Sequence, residues 1–112
     1  MKSIAKEIVN EYKELVKKQN IIDCFLLFMQ WQERPFKDWY VGISQDARTR
    51  LSNGHGIIGR DVWTSEAANN SAEAREIEAY FIKERGTDGG QGGGDPTATE
   101  VYLYLKNSHT QP

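Results

Sequence analysis

Residues Trp39-Tyr40-Val41-Gly42-Ile43 form the best-defined strand candidate in the chain, and the fold prediction is built outward from them. Aromatic and β-branched residues fit the pleated surface of a β-strand. Because side chains alternate along a strand, the first, third and fifth residues should face the core. Tyr40 and Gly42 should then face the other side, where the glycine leaves room for a close neighbour.

The segment before this strand is predicted to contain a helix and a second strand. Apolar residues recur at helical spacing within residues 1–20, which predicts an amphipathic N-terminal helix. Residues 21–29 are mostly apolar and too short for another helix, so they predict a buried strand with Cys24 as a small buried hydrophobe. Across a turn containing Pro35, this strand should pair with residues 39–43 as a hairpin.

Two further helices are predicted after the strand. Ser44 or Asp46 can cap a short helix that ends at Asn53-Gly54. Ser71 can cap a longer helix over residues 72–85, which Gly86 ends.

The remaining segments predict a connector and a last strand. Residues 86–98 are rich in glycine and predict a flexible connection, with no Walker lysine or serine. Residues 99–106 alternate apolar residues with tyrosines and predict a strand, and residues 107–112 a frayed tail. With a motif-bearing region over 22–85, residues 1–112 predict a single α+β domain with a small, mainly antiparallel sheet flanked by helices.

The amino-acid composition limits the cellular compartment, the metal sites and the binding partners that we expect. No apolar run approaches the roughly 20 residues that cross a bilayer, so no membrane association is expected. One cysteine permits no internal disulfide, which fits the cytoplasm, and two histidines with that cysteine are too few for a zinc site. The net charge of −2 argues against bulk, non-specific binding of nucleic acid.

The charge is unevenly distributed along the chain. Residues 34–60 carry five basic and two acidic side chains, whereas residues 61–100 carry nine acidic and three basic ones. This pattern suits an anion-binding surface beside a cation-binding carboxylate, and it also suits an ordinary solvated surface whose charge fluctuates.

Glu78 is an acidic residue on the predicted core-facing side of helix 72–85. It is spaced three and four residues from apolar positions such as Phe81 and Ile82. A buried carboxylate needs an arginine, several hydrogen bonds or a metal ion as partner. Two interpretations follow, a structural pair with an arginine and a metal ligand.

Three motifs resemble those of the GIY-YIG nuclease family. Tyr40-Val41-Gly42 is followed eight residues later by Arg50-Leu51, and then by a helix that carries Ile77-Glu78-x-x-Phe81-Ile82. The resemblance covers residues 22–85 and implies a GIY-YIG-like fold. It also implies that Tyr40 is the YIG tyrosine, that Arg50 contacts phosphate and that Glu78 binds one Mg²⁺ or Mn²⁺.

The sequence departs from this family at two motifs. The GIY triplet should lie in the predicted strand 22–29, which contains neither tyrosine nor glycine. The asparagine expected after the glutamate helix is also missing, since a glycine-rich run stands there. His55 lies close to the place where a histidine often follows the arginine, so it is either a substitute general base or an exposed turn residue.

The basic segment is predicted to contact nucleic acid, expected to be DNA. The contacts are assigned to the remaining basic residues of the segment: Arg34, Lys37, Arg48 and Arg60. The nearby aromatic residues Trp31, Phe36 and Trp39 either stack on bases or pack in the core.

Two functions remain open from the sequence. One is a Mg²⁺-dependent endonuclease with Tyr40, Arg50, His55 and Glu78 as its catalytic residues, and a small chain of this kind could act as a homodimer. The other is a catalytically inactive binding or interaction module of the same fold, which the missing GIY tyrosine and asparagine favour.

Overall fold

The computed structural model describes residues 2–90 and 96–112, with side chains from residue 16 onward. The elements in chain order are α1 (Lys2–Trp31), a 3₁₀ turn (Phe36–Asp38), β1 (Trp39–Ser44), α2 (Ala47–Thr49) with a wider turn (Arg50–Gly54), β2 (Trp63–Ala67), α3 (Ser71–Tyr80) with a wider turn (Phe81–Arg85), β3 (Asp88–Gly89) and β4 (Glu100–Leu105). The predicted α+β class is confirmed. Residues 91–95 of the predicted glycine-rich connector lie outside the described residues.

The four strands form one sheet in the order β2-β4-β1-β3. β4 is antiparallel to both β1 and β2, whereas the two-residue β3 is parallel to β1. In the β1–β4 register Gly42 lies opposite Tyr102, and Tyr40 lies opposite Tyr104. The mainly antiparallel sheet is therefore as predicted, but β4 is the partner of β1.

The predicted strand at residues 21–29 is wrong, because α1 continues through it. Gln19 does not end the helix, and its side chain donates to Asp23 Oδ1, one turn later, at 2.9 Å. The buried apolar residues of this half recur at helical spacing: Ile21, Ile22, Phe25 and Met29. Short apolar runs suit a buried helix as well as a strand, which is why the length and composition of this run misled the prediction.

The opposite face of α1 is exposed. Leu27 and Trp31 are 56% and 82% exposed, and Cys24 is exposed rather than buried as expected. Of the nearby aromatic residues, Trp39 is completely buried and Phe36 is half-buried. Among the described residues, no helix is long and apolar enough to cross a membrane.

The sheet separates two groups of buried side chains. On one face, residues such as Trp39, Val41 and Leu103 pack with α1 and α3. On the other face, Tyr40, Tyr102 and Tyr104 pack with residues of α2 and the loop after it. The alternation predicted for both strands is thereby confirmed.

The helix ends follow the predicted chemistry with one difference. Asp46 caps α2 by accepting from Thr49 N at 3.2 Å. α3 is capped by Asn70 instead of Ser71, and Asn70 Oδ1 accepts from Glu73 N at 2.8 Å. Gly86 ends the following turn with a φ of 81°, a left-handed conformation that glycine adopts easily.

Two substitutions in α1 distinguish a helix from a strand over residues 21–29. Positions 25 and 27 share a face in a strand but lie on opposite faces of a helix. We expect Phe25→Ala to lower the free energy of unfolding by about 3–5 kcal/mol, because its ring is completely buried. Leu27→Ala should change it by less than about 0.5 kcal/mol. Urea denaturation checks both values, and equal losses at the two positions would contradict the helix.

Candidate active site

Three tyrosines and one histidine meet on the face of the sheet opposite α1. The rings of Tyr40 and Tyr104 are 5.2 Å apart, and those of Tyr40 and Tyr102 are 6.4 Å apart. The His55 ring lies 4.7 Å from Tyr40, 5.4 Å from Tyr102 and 4.9 Å from Tyr104. We call these four residues the tyrosine–histidine cluster. All four are buried, so His55 is not the exposed turn residue that one interpretation expected.

Hydrogen bonds to both ring nitrogens fix the state of His55. Nδ1 lies 2.6 Å from the carbonyl oxygen of Gln111, and Nε2 lies 2.7 Å from the Tyr102 hydroxyl. A carbonyl can only accept, so the proton sits on Nδ1. Burial lowers the pKa of His55, opposed by the Gln111 carbonyl and helped by the Arg50 charge. In the neutral ring Nε2 therefore accepts the proton that Tyr102 donates.

Tyr102 lies directly over Gly42 and meets Arg50 at its hydroxyl. A Cβ atom at position 42 would be 2.6 Å from Tyr102 Cζ, so only glycine leaves room for the ring. Burial, together with the neighbouring Tyr40, raises the pKa of Tyr102 well above its ordinary value. The charge and hydrogen-bonding capacity of Arg50 act on the Tyr102 hydroxyl and oppose this increase in the pKa. The phenol thus stays protonated, with a donor on one side and an acceptor on the other.

Arg50 connects this buried cluster to the surface. It is exposed and follows α2, whose start is fixed by the Asp46 cap. It lines an open groove of about 430 Å³ together with residues such as Ser44, Thr49 and Asn53. A guanidinium that lines an open groove is suited to binding an anionic group from solvent.

Glu78 is buried as the helical spacing predicted, and only 5% of it is exposed. Burial raises the pKa of its carboxyl, and the positive charge of Arg75 opposes this increase. The charge of Glu78 in turn adds a smaller contribution, after burial, to the raised pKa values of Tyr40 and Tyr102. Within the described part of the chain, no ion pair joins Glu78 to Arg50.

The donor set around Glu78 limits what metal it can hold. Among residues 2–90 and 96–112, no three His, Cys, Asp or Glu side chains come together as metal ligands. Mg²⁺ is commonly held by one or two carboxylates, with substrate phosphate and water completing its coordination. A single buried carboxylate such as Glu78 fits that kind of shared site.

Asp88 is a further acidic group beside the cluster, and it is not among the site residues predicted from the sequence. It lies opposite Tyr40 in the β1–β3 pair and, after burial, contributes most to the raised pKa of Tyr40. Its carboxylate forms an ion pair with Lys106 at 3.4 Å.

The residues predicted to bind nucleic acid do not form one surface. Arg48 lies on α2 near Arg50 and over the Trp63 ring, 5.9 Å from its centre. Arg34 is paired with Asp38 at 2.9 Å and lines a separate groove beside α1.

The other two basic residues of this prediction lie on exposed turns. Lys37 is in the 3₁₀ turn before β1, and Arg60 is in the loop before β2. The structure therefore brings Tyr40 and His55 together, with the charges of Arg50 and Glu78 acting on Tyr40, but it does not join Arg34 to them.

Tyr102, Tyr104 and Gln111 are the members of the site that sequence reasoning missed. The alternation within residues 99–106 already placed both tyrosines on one face. The alternation did not show that this strand pairs with β1, because residues 21–29 had been predicted to be the partner of β1.

Comparison of the chain with protein-family models, curated proteins and solved structures finds no match. The site is therefore interpreted from its own geometry.

The lowered pKa of His55 predicts a specific loss of stability in acid. A group whose pKa is lowered by folding contributes stability above its ordinary value, here 6.5, and this contribution is lost as the pH falls. We expect the free energy of unfolding to fall between about pH 7 and about pH 5, and His55→Asn to make this dependence flatter. Urea denaturation across this range checks the slope, and an unchanged slope in the variant would contradict the neutral, buried imidazole.

Proposed function

We propose that the tyrosine–histidine cluster, with Arg50 and Glu78, hydrolyses phosphodiester bonds in nucleic acid in a reaction that requires Mg²⁺ or Mn²⁺. The observation that carries this proposal is the hydrogen bond between the Tyr102 hydroxyl and buried His55 Nε2, with the charge of exposed Arg50 acting on the same hydroxyl. The charge of Glu78 also acts on Tyr40 and Tyr102, and among the described residues no ion pair joins Glu78 to Arg50.

Arg50 is the group that would bind the scissile phosphate. Its guanidinium is always charged and can offer two parallel donors to phosphate oxygens. Because it also contacts the Tyr102 hydroxyl, a phosphate held there would lie close to that hydroxyl. The same positive charge stabilises the negative charge that develops on phosphorus-bound oxygens during the reaction.

Tyr102 and His55 would carry the proton away from the attacking water. As the water oxygen bonds to phosphorus, its proton passes to the Tyr102 oxygen, and the Tyr102 proton passes to His55 Nε2. The bond from phosphorus to the leaving oxygen breaks, and that oxygen takes a proton from solvent. The imidazolium then returns its proton to solvent, which restores the starting state.

Glu78 would hold the divalent ion together with the substrate phosphate. A bound Mg²⁺ or Mn²⁺ supplies Lewis-acid stabilisation of charge on the phosphate and leaving oxygens. Glu78 itself gains from such binding, because a nearby cation offsets the cost of burying its charge. This role makes functional sense of an acidic residue on the buried side of α3.

The same geometry supports a GIY-YIG-like arrangement despite the missing triplet. The family resemblance requires a tyrosine-bearing strand antiparallel to the one that carries Tyr40. In this chain β4 takes that position and contributes Tyr102 and Tyr104, although it follows the glutamate helix in sequence. We therefore propose that a tyrosine of β4 replaces the absent GIY tyrosine from a different place in the sequence, and that the catalytic activity is kept.

DNA is the substrate class that we propose for this groove. Arg48, on α2 two residues before Arg50, lies over the Trp63 ring and lines a separate, smaller cavity with it, and a cation on an aromatic ring suits phosphate binding and base stacking. If the chain binds DNA without cutting it, the inactive binding module becomes the better account.

Removing one hydroxyl tests the proton path. We expect Tyr102→Phe to lower kcat for DNA cleavage by about 10²–10⁴-fold, the usual size of general acid–base catalysis. The fold should be preserved, because the ring still fills the space over Gly42. Tyr80→Phe is the matched control, since the Tyr80 hydroxyl accepts from Arg85 Nε and Tyr80 lies on α3, outside the tyrosine–histidine cluster. Equal rates for the two variants would count against the path.

Glu78→Gln separates catalysis from folding. A carboxyl whose pKa is raised by folding contributes stability below its ordinary value of 4.5, and this is lost as the pH rises. At neutral pH the neutral amide should therefore raise the melting temperature while cleavage in Mg²⁺ or Mn²⁺ is lost. The exposed Glu84→Gln serves as control and should leave both unchanged. Cleavage by Glu78→Gln at the wild-type rate would rule out its role in metal binding.

A further inference from the structure

Residues 107–112, which we call the strap, are folded against the loop that carries His55. Asn107 Nδ2 donates to Asp61 Oδ1 at 2.8 Å, and His109 Nε2 donates to Asp61 Oδ2 at 2.7 Å. The Asp61 side chain is only 4% exposed and also accepts from Ile58 N at 2.8 Å. The prediction of a frayed tail is therefore wrong, because Asp61 fastens the strap at two points.

A second attachment joins the strap to the tyrosine–histidine cluster itself. Gln111 N donates to His55 O at 2.9 Å. The carbonyl oxygen of Gln111 accepts from His55 Nδ1 at 2.6 Å and from the Tyr104 hydroxyl at 3.0 Å. The backbone N–H and the backbone carbonyl of Gln111 thus both form hydrogen bonds with residues of the cluster.

The loop beneath the strap is shaped to allow this contact. Gly56 has a φ of 74°, which favours glycine, and a Cβ atom there would lie 3.3 Å from His109 O. The strap therefore passes close to the residue that follows His55, and a larger residue at position 56 would push it away.

We propose that Gln111 is a positioning residue whose backbone carbonyl keeps the His55 proton on Nδ1 and so leaves Nε2 to accept from Tyr102. Without this carbonyl either ring nitrogen can carry the proton. A proton on Nε2 turns that atom into a donor, which cannot take the Tyr102 proton. The tautomer of His55 does not depend on whether the protein is an enzyme, whereas the role of that tautomer in hydrolysis rests on the proposed function.

The strap can be released by a substitution outside the cluster. Asp61→Ala removes the acceptor for both Asn107 and His109. Gln111→Pro is a second variant, because it removes the N–H that donates to His55 O and leaves Asp61 in place. Ser108→Ala is the matched control, since Ser108 is an exposed strap residue.

The measurement is ¹⁵N NMR of the histidine side chains in the full chain, where the nitrogen shifts report which atom carries the proton. We expect His55 to be protonated on Nδ1 in the wild type and in Ser108→Ala. In Asp61→Ala and Gln111→Pro it should become a mixture of the two neutral tautomers. A wild-type His55 protonated on Nε2 overturns the inference, as does an unchanged tautomer in both variants.

Cleavage assays on the same proteins separate this inference from the proposed function. We expect kcat to fall in Asp61→Ala and Gln111→Pro by about 10-fold or more, with KM nearly unchanged, because Arg50 is not altered. The expected tautomers without cleavage by any of the proteins would support the positioning by Gln111 and reject the nuclease. Cleavage that does not change when the tautomer changes would overturn the role of Gln111 in the relay.

Discussion

The antiparallel pairing of β1 with β4 is the interaction on which both sides of the molecule depend. It places Gly42 opposite Tyr102 and Tyr40 opposite Tyr104, so one face of two strands presents phenols and little else. The same register turns residues such as Val41 and Leu103 toward α1 and α3. A shift by one residue would exchange the two faces, placing tyrosines in the apolar core and aliphatic residues at the site.

The two faces of the sheet have different roles: one stabilises the fold, and the other carries the candidate site. The face toward the helices contains completely buried apolar side chains, among them Phe25, Trp39 and Phe81. The other face buries phenols and an imidazole, and each of these polar groups must be hydrogen-bonded. Holding buried polar groups in fixed orientations lowers the free energy of unfolding. The apolar side chains buried on the opposite face of the sheet must offset this loss.

The sequence predicted most of the local structure and half of the site. Capping residues, the left-handed Gly86 and strict alternation are local signals, and they located α2, α3, β1 and β4 within a few residues. The helical stripe on α3 also identified Glu78 as buried. Residues 21–29 were the failure, because their apolar spacing suits a helix and their composition suits a strand.

That one error hid the other half of the site. With residues 21–29 assigned as the partner of β1, nothing led to Tyr102 and Tyr104, although their alternation was clear. Strand pairing is a non-local property, and a single sequence carries little information about it. The contact of Gln111 with His55 is of the same kind, since it joins a backbone carbonyl to a side chain 56 residues away.

The separation of these groups along the chain has a consequence for the order of folding. Bringing Tyr40 to Tyr104 closes a long loop of the chain between β1 and β4. Closing this loop costs conformational entropy before the contacts between the two strands are gained. One of the two central strands of the sheet, β4, is also the last strand in sequence. Partly folded or partly synthesised chains can therefore contain α1 and α3 while lacking the phenol–imidazole relay, so any reactivity of this cluster would mark a molecule that has finished folding.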